Sequence, residues 1–457
     1  MTRRHPKTVL LQLLLCLCAA APARAGFPLP ALRAGDIKDA PSGAAAPAAP
    51  EPKEWTIMVF MNGRSNIEPY ALNDMNRFET VGSGDKVNIV VELGRSKGLD
   101  NDTQADGDWE GSRRYLVAKD ADKERIASPV LMDLGKVDMG DYREAVSFMK
   151  WAKAAYPARR YALILWDHGW GWIDPKSEKP GKKSISHDFT TGNYIKTAEL
   201  GKIFAEGGRV DLYASMACFM QMAEVAYELK DAAPVIVGSE EVVQLPSFNF
   251  EDFFSFMLAN PEASAEEAGA RLVSSFKDLY SRPENAEMLE KAKYGVQLSA
   301  IRSAALPDLA DKIRRWAGLA LRTADSSAYA RALAGVLRFD VGDETTDPDK
   351  TISFYGDLLH FVRLVNSGLD LSRPGAAELK TAGEDLDRFA ASRLLINNVF
   401  LGKDRAGKDY SNANGLAVNI PGRPGNLIEY HHTYSDLAFA KASGWKTFTD
   451  YLETIKY

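Results

Sequence analysis

Two residues of this chain combine reactive chemistry with a telling position. Cys218 follows the β-like run Val210–Met216, and His168 follows the β-like run Tyr161–Trp166, 50 residues earlier. The chain has three cysteines. The other two, Cys16 and Cys18, lie in the apolar core of what reads as a signal peptide over residues 1–25. A lone thiol in an exported protein has no internal disulfide partner and is either an inert packing group or a reactive one. In an open parallel sheet, ligand chemistry gathers beyond the carboxyl ends of the strands. If the two runs are neighbours, imidazole and thiol reach the same edge. Cysteine thiolate is the competent nucleophile, and a nearby imidazole can carry the proton to a leaving amine. A helix expected over 219–230 would place Cys218 at a helix start, where free N–H groups favour thiolate. The backbone N–H groups of Gly169 and Cys218 are candidates for an oxyanion hole.

Plainer readings stand beside these. Free cysteine is among the most buried residue types, and a loop histidine often makes one structural hydrogen bond. Asp167, next to His168, is a poor third member of a triad because adjacent side chains point in different directions. Asp188 is expected to be a solvated surface acid before a pocket or ion residue. Trp166, Trp170 and Trp172 either line a groove or pack under a loop.

The elements that must position these residues alternate. Continuous apolar runs at Trp55–Met61, Val87–Leu93, Tyr161–Trp166, Val210–Met216 and Pro234–Gly238 read as strands covered on both faces, with a short one at Arg114–Val117. Helical patterns run from the Asn62-Gly63 turn to Phe78 and from Asp141 to Ala155, the second opened by Asp and stopped at Tyr156-Pro157. Alternating strands and helices predict an α/β fold, a mostly parallel sheet flanked by helices, over residues 54–250. Residues 251–457 read as a mainly helical C-terminal extension, with helices at 264–280, 305–323, 326–338, 352–367 and 383–393. A late strand is expected at Leu416–Ile420, and 434–457 reads helical in two parts. Residues 26–53 are rich in Ala and Pro and read as a linker or pro-segment.

The leader has a basic start, an apolar stretch from Val9 to Ala21 and a small-residue cleavage site, Ala23-Arg24-Ala25. The whole chain carries a net charge of -6, more negative once the leader's cations are removed. That balance gives no nucleic-acid footprint. No further apolar run spans a membrane, so no stable insertion is expected after signal removal. An exported protein, periplasmic or secreted, is the expectation. The segment from Asp174 to Ser184 is polar and lysine-rich. It lacks the Gly and hydroxyl positions of a Walker loop, and no Gly-x-Gly-x-x-Gly follows a strand. Adjacent His431-His432 near Glu429 do not make a zinc motif.

Several segments together resemble the clostripain family of cysteine peptidases. They are Trp55–Gly63, Val137–Gly140, Tyr156–Ala158, Arg160–Trp172, Ala217–Leu229 and Val237–Glu241, with weaker continuation through Ser411–Leu416 and Trp445. Histidine first and cysteine about 50 residues later is also the caspase order. The resemblance implies a caspase-like fold, a His168/Cys218 dyad, protein or peptide substrates, and cleavage after basic residues. It implies no cofactor for the chemistry itself. From some members the resemblance also implies calcium use and self-cleavage between the histidine and the cysteine; if a lysine is accepted at P1, the lysine-rich loop of this chain offers Lys176, Lys179, Lys182 and Lys183 as candidate cut sites. Two positions depart from the family pattern. An acid is usual two residues before the nucleophile, where this chain has Met216, which cannot neutralise a basic P1 side chain. Glu240 and Glu241 are candidates to supply that charge from another wall. Near Asn62-Gly63 the usual acidic run is replaced by Arg64-Ser65. Exported cysteine endopeptidase is the leading reading. A catalytically silent binding module and a hydrolase with non-basic P1 preference are the alternatives.

Overall fold

The computed structural model describes residues 51–173, 185–341, 352–403, 407–422 and 431–457. Residues 52–457 form one compact unit. Its strands are β1 (Lys53–Gly63), β2 (Val87–Arg95), β3 (Gly111–Leu116), β4 (Val130–Gly135), β5 (Ala158–Trp166), β6 (Leu212–Met216), β7 (Val235–Gly238), β8 (Val296–Arg302), β9 (Arg338–Val341), β10 (Ile352–Asp357), β11 (Leu395–Leu401) and β12 (Ala417–Asn419). Nine of them make one sheet in the order β11-β8-β7-β6-β5-β1-β2-β3-β4. The central five, β2-β1-β5-β6-β7, are parallel, and the two strands on each flank pair antiparallel. β9, β10 and β12 form a separate antiparallel sheet.

β1 shows why the central runs lack a simple polar alternation. Trp55, Ile57, Val59 and Met61 enter the core on one face. Met58 and Phe60 enter the core on the other. A strand with helices on both sides buries every side chain, whichever way it points. The first face is covered by α1 (Glu68–Glu79), α5 (Phe250–Ala259) and α6 (Ala265–Tyr280); α2 (Tyr142–Ala155), α3 (Thr197–Gly207) and α4 (Ala223–Glu228) cover the second. Local chemistry sets the helix starts. Asp141 caps α2 by accepting the Arg143 N–H. Ser264 and Glu267 form a capping box at α6.

The region beyond residue 250 is more than a helical extension. β8 and β11 complete the large sheet on the β7 side, so sheet and core run through residue 250 without a break. β10 occupies the first six residues of the stretch expected to be helical over 352–367, and the helix there begins at Leu358. The helix expected over 219–230 is shorter, Ala223–Glu228. Chain direction matters most for the site. β2 lies on one side of β1 and β5 on the other, so the strand order reverses between β1 and β5 and opens a crevice at their carboxyl ends.

Candidate active site

Sheet register brings His168 and Cys218 together. β5 and β6 run parallel with Trp166 paired to Met216, and the Asp167 N–H donates to the Met216 carbonyl at 3.3 Å. His168 and Cys218 each lie two residues past that pair, on adjacent loops at one sheet edge. The loops touch at Gly169. A Cβ there would sit 2.4 Å from the Cys218 carbonyl oxygen and 2.9 Å from the Ala217 Cβ, so this approach requires glycine. The chain then turns sharply. Phe219 adopts a left-handed conformation (φ 60°), costly for an aromatic residue and held by burial against Trp170 and Tyr355.

The surroundings of the thiol pull in two directions. Cys218 keeps partial solvent access. Desolvation by the surrounding protein pushes it up to about 12, and the negative charge of Glu241 adds to this. The backbone N–H groups of Val243, Gly169 and Cys218 act the opposite way by facing the sulfur. Burial pushes the His168 imidazole down to about 4. At neutral pH the resting pair is therefore thiol and neutral imidazole. This corrects the expectation of a thiolate at a helix start. α4 begins five residues after Cys218 and is only six residues long, so its dipole does not act on the sulfur.

His168 is held from two sides. Its Nε2 lies 2.7 Å from the Asn66 Oδ1, and Phe189 stacks against the ring with centroids 6.0 Å apart. Behind it, the end of β1 and the loop that follows are fastened to the residue before the histidine. The Asn62 amide donates to Asp167 and to Ser186, both at 3.2 Å. Ser65 reaches the other Asp167 oxygen at 3.5 Å. Asp167 is thus buried structural support bonded to Asn62 and Ser65, and burial raises its carboxyl well above the usual range. Asp188 overturns its surface reading. It is fully buried, pairs with Arg64 at 2.6 Å, and accepts the N–H groups of Met139, Thr190 and Thr191. The Arg64 that departs from the family pattern is the partner of that aspartate.

The three tentative substrate residues have different surroundings. Met216 is buried in the core beside Trp166. Glu240 is fully buried, accepts the Gly415 N–H at 2.9 Å, and is held well above the carboxylate range by burial and then by the charge of Asp357. Glu241 is nearer the thiol. Its carboxylate accepts the Val242 N–H at 2.7 Å and the Tyr410 hydroxyl, and its charge is felt at Cys218. Of the three tryptophans around the histidine, Trp166 and Trp172 are core residues and Trp170 is half-buried. The sequence reading missed Asn66, Phe189 and Val243. The available signal was positional: Asn66 follows a strand that borders β5 at the crevice.

Among the described residues, no three His, Cys, Asp or Glu side chains converge as a metal cage. The lysine-rich loop 174–184 lies outside the described residues, as does Glu429, and of His431 and His432 only the helical backbone is described. No helix among the described residues is long and apolar enough to cross a membrane.

A mixed sheet with a parallel centre, helices on both faces, and histidine and cysteine on adjacent strand-end loops defines a caspase-like α/β protein. The model of the Clostripain family (C11 peptidases) matches residues 59–454, and this chain belongs to that family. Clostripain of Hathewaya histolytica is 26% identical over 230 residues, a match covering 46% of this chain and 44% of that protein. The match thus spans under half the length of that relative. A zymogen C11 protease from Parabacteroides distasonis superposes with a TM-score of 0.61 at 17% identity, covering 86% of this chain and 99% of that one. A secreted C11 cysteine protease from Bacteroides thetaiotaomicron, solved with an irreversible peptide inhibitor, gives 0.60 at 17% identity over the same shares. At these identities the two structures establish the fold.

Proposed function

We propose that the protein is an exported cysteine endopeptidase in which Cys218 is the nucleophile and His168 the acid–base partner. The observation that carries this reading is the register of β5 and β6, which sets both residues on touching loops at the edge where α/β sheets bind ligands. Family membership supplies the reaction class. With both groups neutral at rest, the thiol proton passes to the imidazole as the sulfur bonds to the scissile carbonyl carbon. The oxyanion so formed is received by backbone N–H groups at Gly169 and Cys218. Collapse breaks the C–N bond, and the imidazolium gives its proton to the departing amine. Water, deprotonated by His168, then hydrolyses the thioester and frees the thiol. The leader-like start of the chain and the secreted family neighbour support export.

Selection at P1 follows from the three neighbouring residues. Met216 offers no charge, and Glu240 is committed to Gly415 and Asp357. Any preference for a basic P1 rests on Glu241, the acid whose charge reaches Cys218. The enzyme therefore accepts a broad range at P1. A fluorogenic panel varied at P1 tests this reading. Glu241→Gln is expected to reduce kcat/KM for Arg and Lys by roughly tenfold relative to Leu and Ala, about the loss of one charge-assisted contact. Glu240→Gln is expected to leave that ratio unchanged. A steep P1 Arg preference surviving both substitutions would sink the assignment.

A further inference from the structure

The geometry points to Asn66 as the residue that fixes the tautomer and orientation of His168, making it a positioning residue for the reaction. This rests on the reading of His168 as the acid–base partner.

The Asn66 side-chain oxygen lies 2.7 Å from the His168 Nε2. An amide oxygen only accepts, so Nε2 must carry the proton and Nδ1 is left as the basic nitrogen. An imidazole that takes a thiol proton needs one defined basic nitrogen, and the bond to Asn66 chooses it. A carboxylate in this place would do the same while raising the imidazole pKa. A neutral amide orients the ring without adding charge, as the carboxylate of a triad does with charge.

The rest of the loop gives Asn66 a fixed seat. It lies three residues beyond β1, in the crevice where the strand order reverses. Met61 pairs with Trp166 in the sheet, so the loops leaving β1 and β5 start side by side. Two contacts tie them and a third braces the first. The Asn62 amide donates to Asp167, its oxygen accepts the Arg64 N–H at 3.0 Å, and the Arg64 guanidinium is buried on Asp188. On the far side, the Asn101 side chain donates to the Asn66 carbonyl at 3.3 Å. α1 begins at Glu68, with its N–H bonded to the Ser65 carbonyl. Asn66 and Ile67 are half-exposed between buried Ser65 and Glu68, and the Asn66 side chain turns toward the imidazole. Phe189 on the ring face and Asn66 in the ring plane together leave the imidazole little freedom.

The test compares wild type, Asn66→Ala and Asn66→Asp, with Tm measured for each. Asn66→Ala is expected to lower kcat by roughly 10- to 100-fold with KM within about twofold, a loss confined to the acid–base step. Asn66→Asp is expected to recover part of that rate and to move the imidazole limb of the kcat pH profile upward by about one unit, because a carboxylate favours the charged ring. A structural role alone would lower Tm without moving that limb. The second readout does not need activity. In histidine-15N spectra of the Cys218→Ala protein, assigned with His168→Gln, the His168 ring should be the Nε2–H tautomer and should become mixed when Asn66→Ala is added. Wild-type kcat and pH profile in Asn66→Ala, an unmoved limb in a folded Asn66→Asp, or an Nδ1–H tautomer would each overturn the proposal. A wild type that hydrolyses no peptide but shows the Nε2–H tautomer would instead overturn the peptidase reading and leave the contact standing.

Discussion

At the residue scale, the site is a contest between solvation and proximity. Removing water from Cys218 and His168 drives both to their neutral forms, so in the proposed mechanism reactivity comes from transfer of a proton between them rather than from a stored thiolate. Proximity is therefore critical, and Gly169 enforces it. Gly169→Ala puts a methyl group 2.4 Å from the Cys218 carbonyl oxygen, and the two loops must part. Turnover is expected to fall by at least about 100-fold with the fold intact, in line with the sensitivity of catalysis to small displacements. Steady-state kinetics beside far-UV circular dichroism would check it; near-normal kcat in a folded Gly169→Ala protein would contradict the required close approach. His168 and Cys218 were legible in the sequence because each ends an unmistakable apolar run. Asn66 was not. A polar residue in a loop has no periodicity, and its role depends on β5 returning beside β1 about 100 residues later.

At the element scale, buried ion pairs fasten the loops that carry the site. Arg64 and Asp188 are essentially sealed from solvent and lie 124 residues apart in sequence. That separation is why Asp188 read as a solvated acid: nothing local marks its partner. Removing one member of such a pair strands the other charge. Asp188→Ala is expected to cost about 3–5 kcal/mol in urea unfolding. The paired change Arg64→Met with Asp188→Leu is expected to cost much less, because no charge is left buried alone. Equal losses in the single and double variants would mean the interaction is not electrostatic. The central strands and α2 were readable from apolar runs and capping residues. β8 was not, since Gln297 and Ser299 interrupt its apolar pattern and are nonetheless buried, with their polar groups bonded to neighbouring segments. β4 escaped for the opposite reason: Val130, Leu131 and Met132 are exposed on an edge strand, so burial left no alternation to read.

At the scale of the molecule, the C-terminal half is part of the sheet domain and props up the cysteine loop. Ala417 donates to the Gln221 carbonyl at 3.0 Å, and Glu224 accepts the Asn419 N–H and the Tyr434 hydroxyl. A fragment ending at residue 250 loses β8, β11 and α6, and it is expected to be unfolded or aggregated by circular dichroism and size-exclusion chromatography. A monomeric fragment with cooperative melting would refute that integration. Glu224 also gives the junction a pH dependence. Burial raises its carboxyl to about 7 from 4.5. The folded state therefore holds a proton that the unfolded state has released. Its contribution is full below about 4.5 and is lost as pH rises through 7. Glu224→Gln should flatten that loss by on the order of 2–3 kcal/mol between pH 5 and 8, seen by denaturation at each pH; an unchanged slope would show that Glu224 is not protonated in the fold.

The central claim is that Cys218 is a nucleophile served by His168. Its most direct test is covalent labelling with a peptidyl chloromethyl ketone, read by intact mass and peptide mapping. One inhibitor equivalent on Cys218 in the wild type, none in Cys218→Ala, and labelling slowed by several orders of magnitude in His168→Ala is the predicted result. A folded wild type that stays unlabelled at Cys218 while a simple alkylating agent reaches the thiol would contradict it, and would leave a fold of this family acting as a binding module.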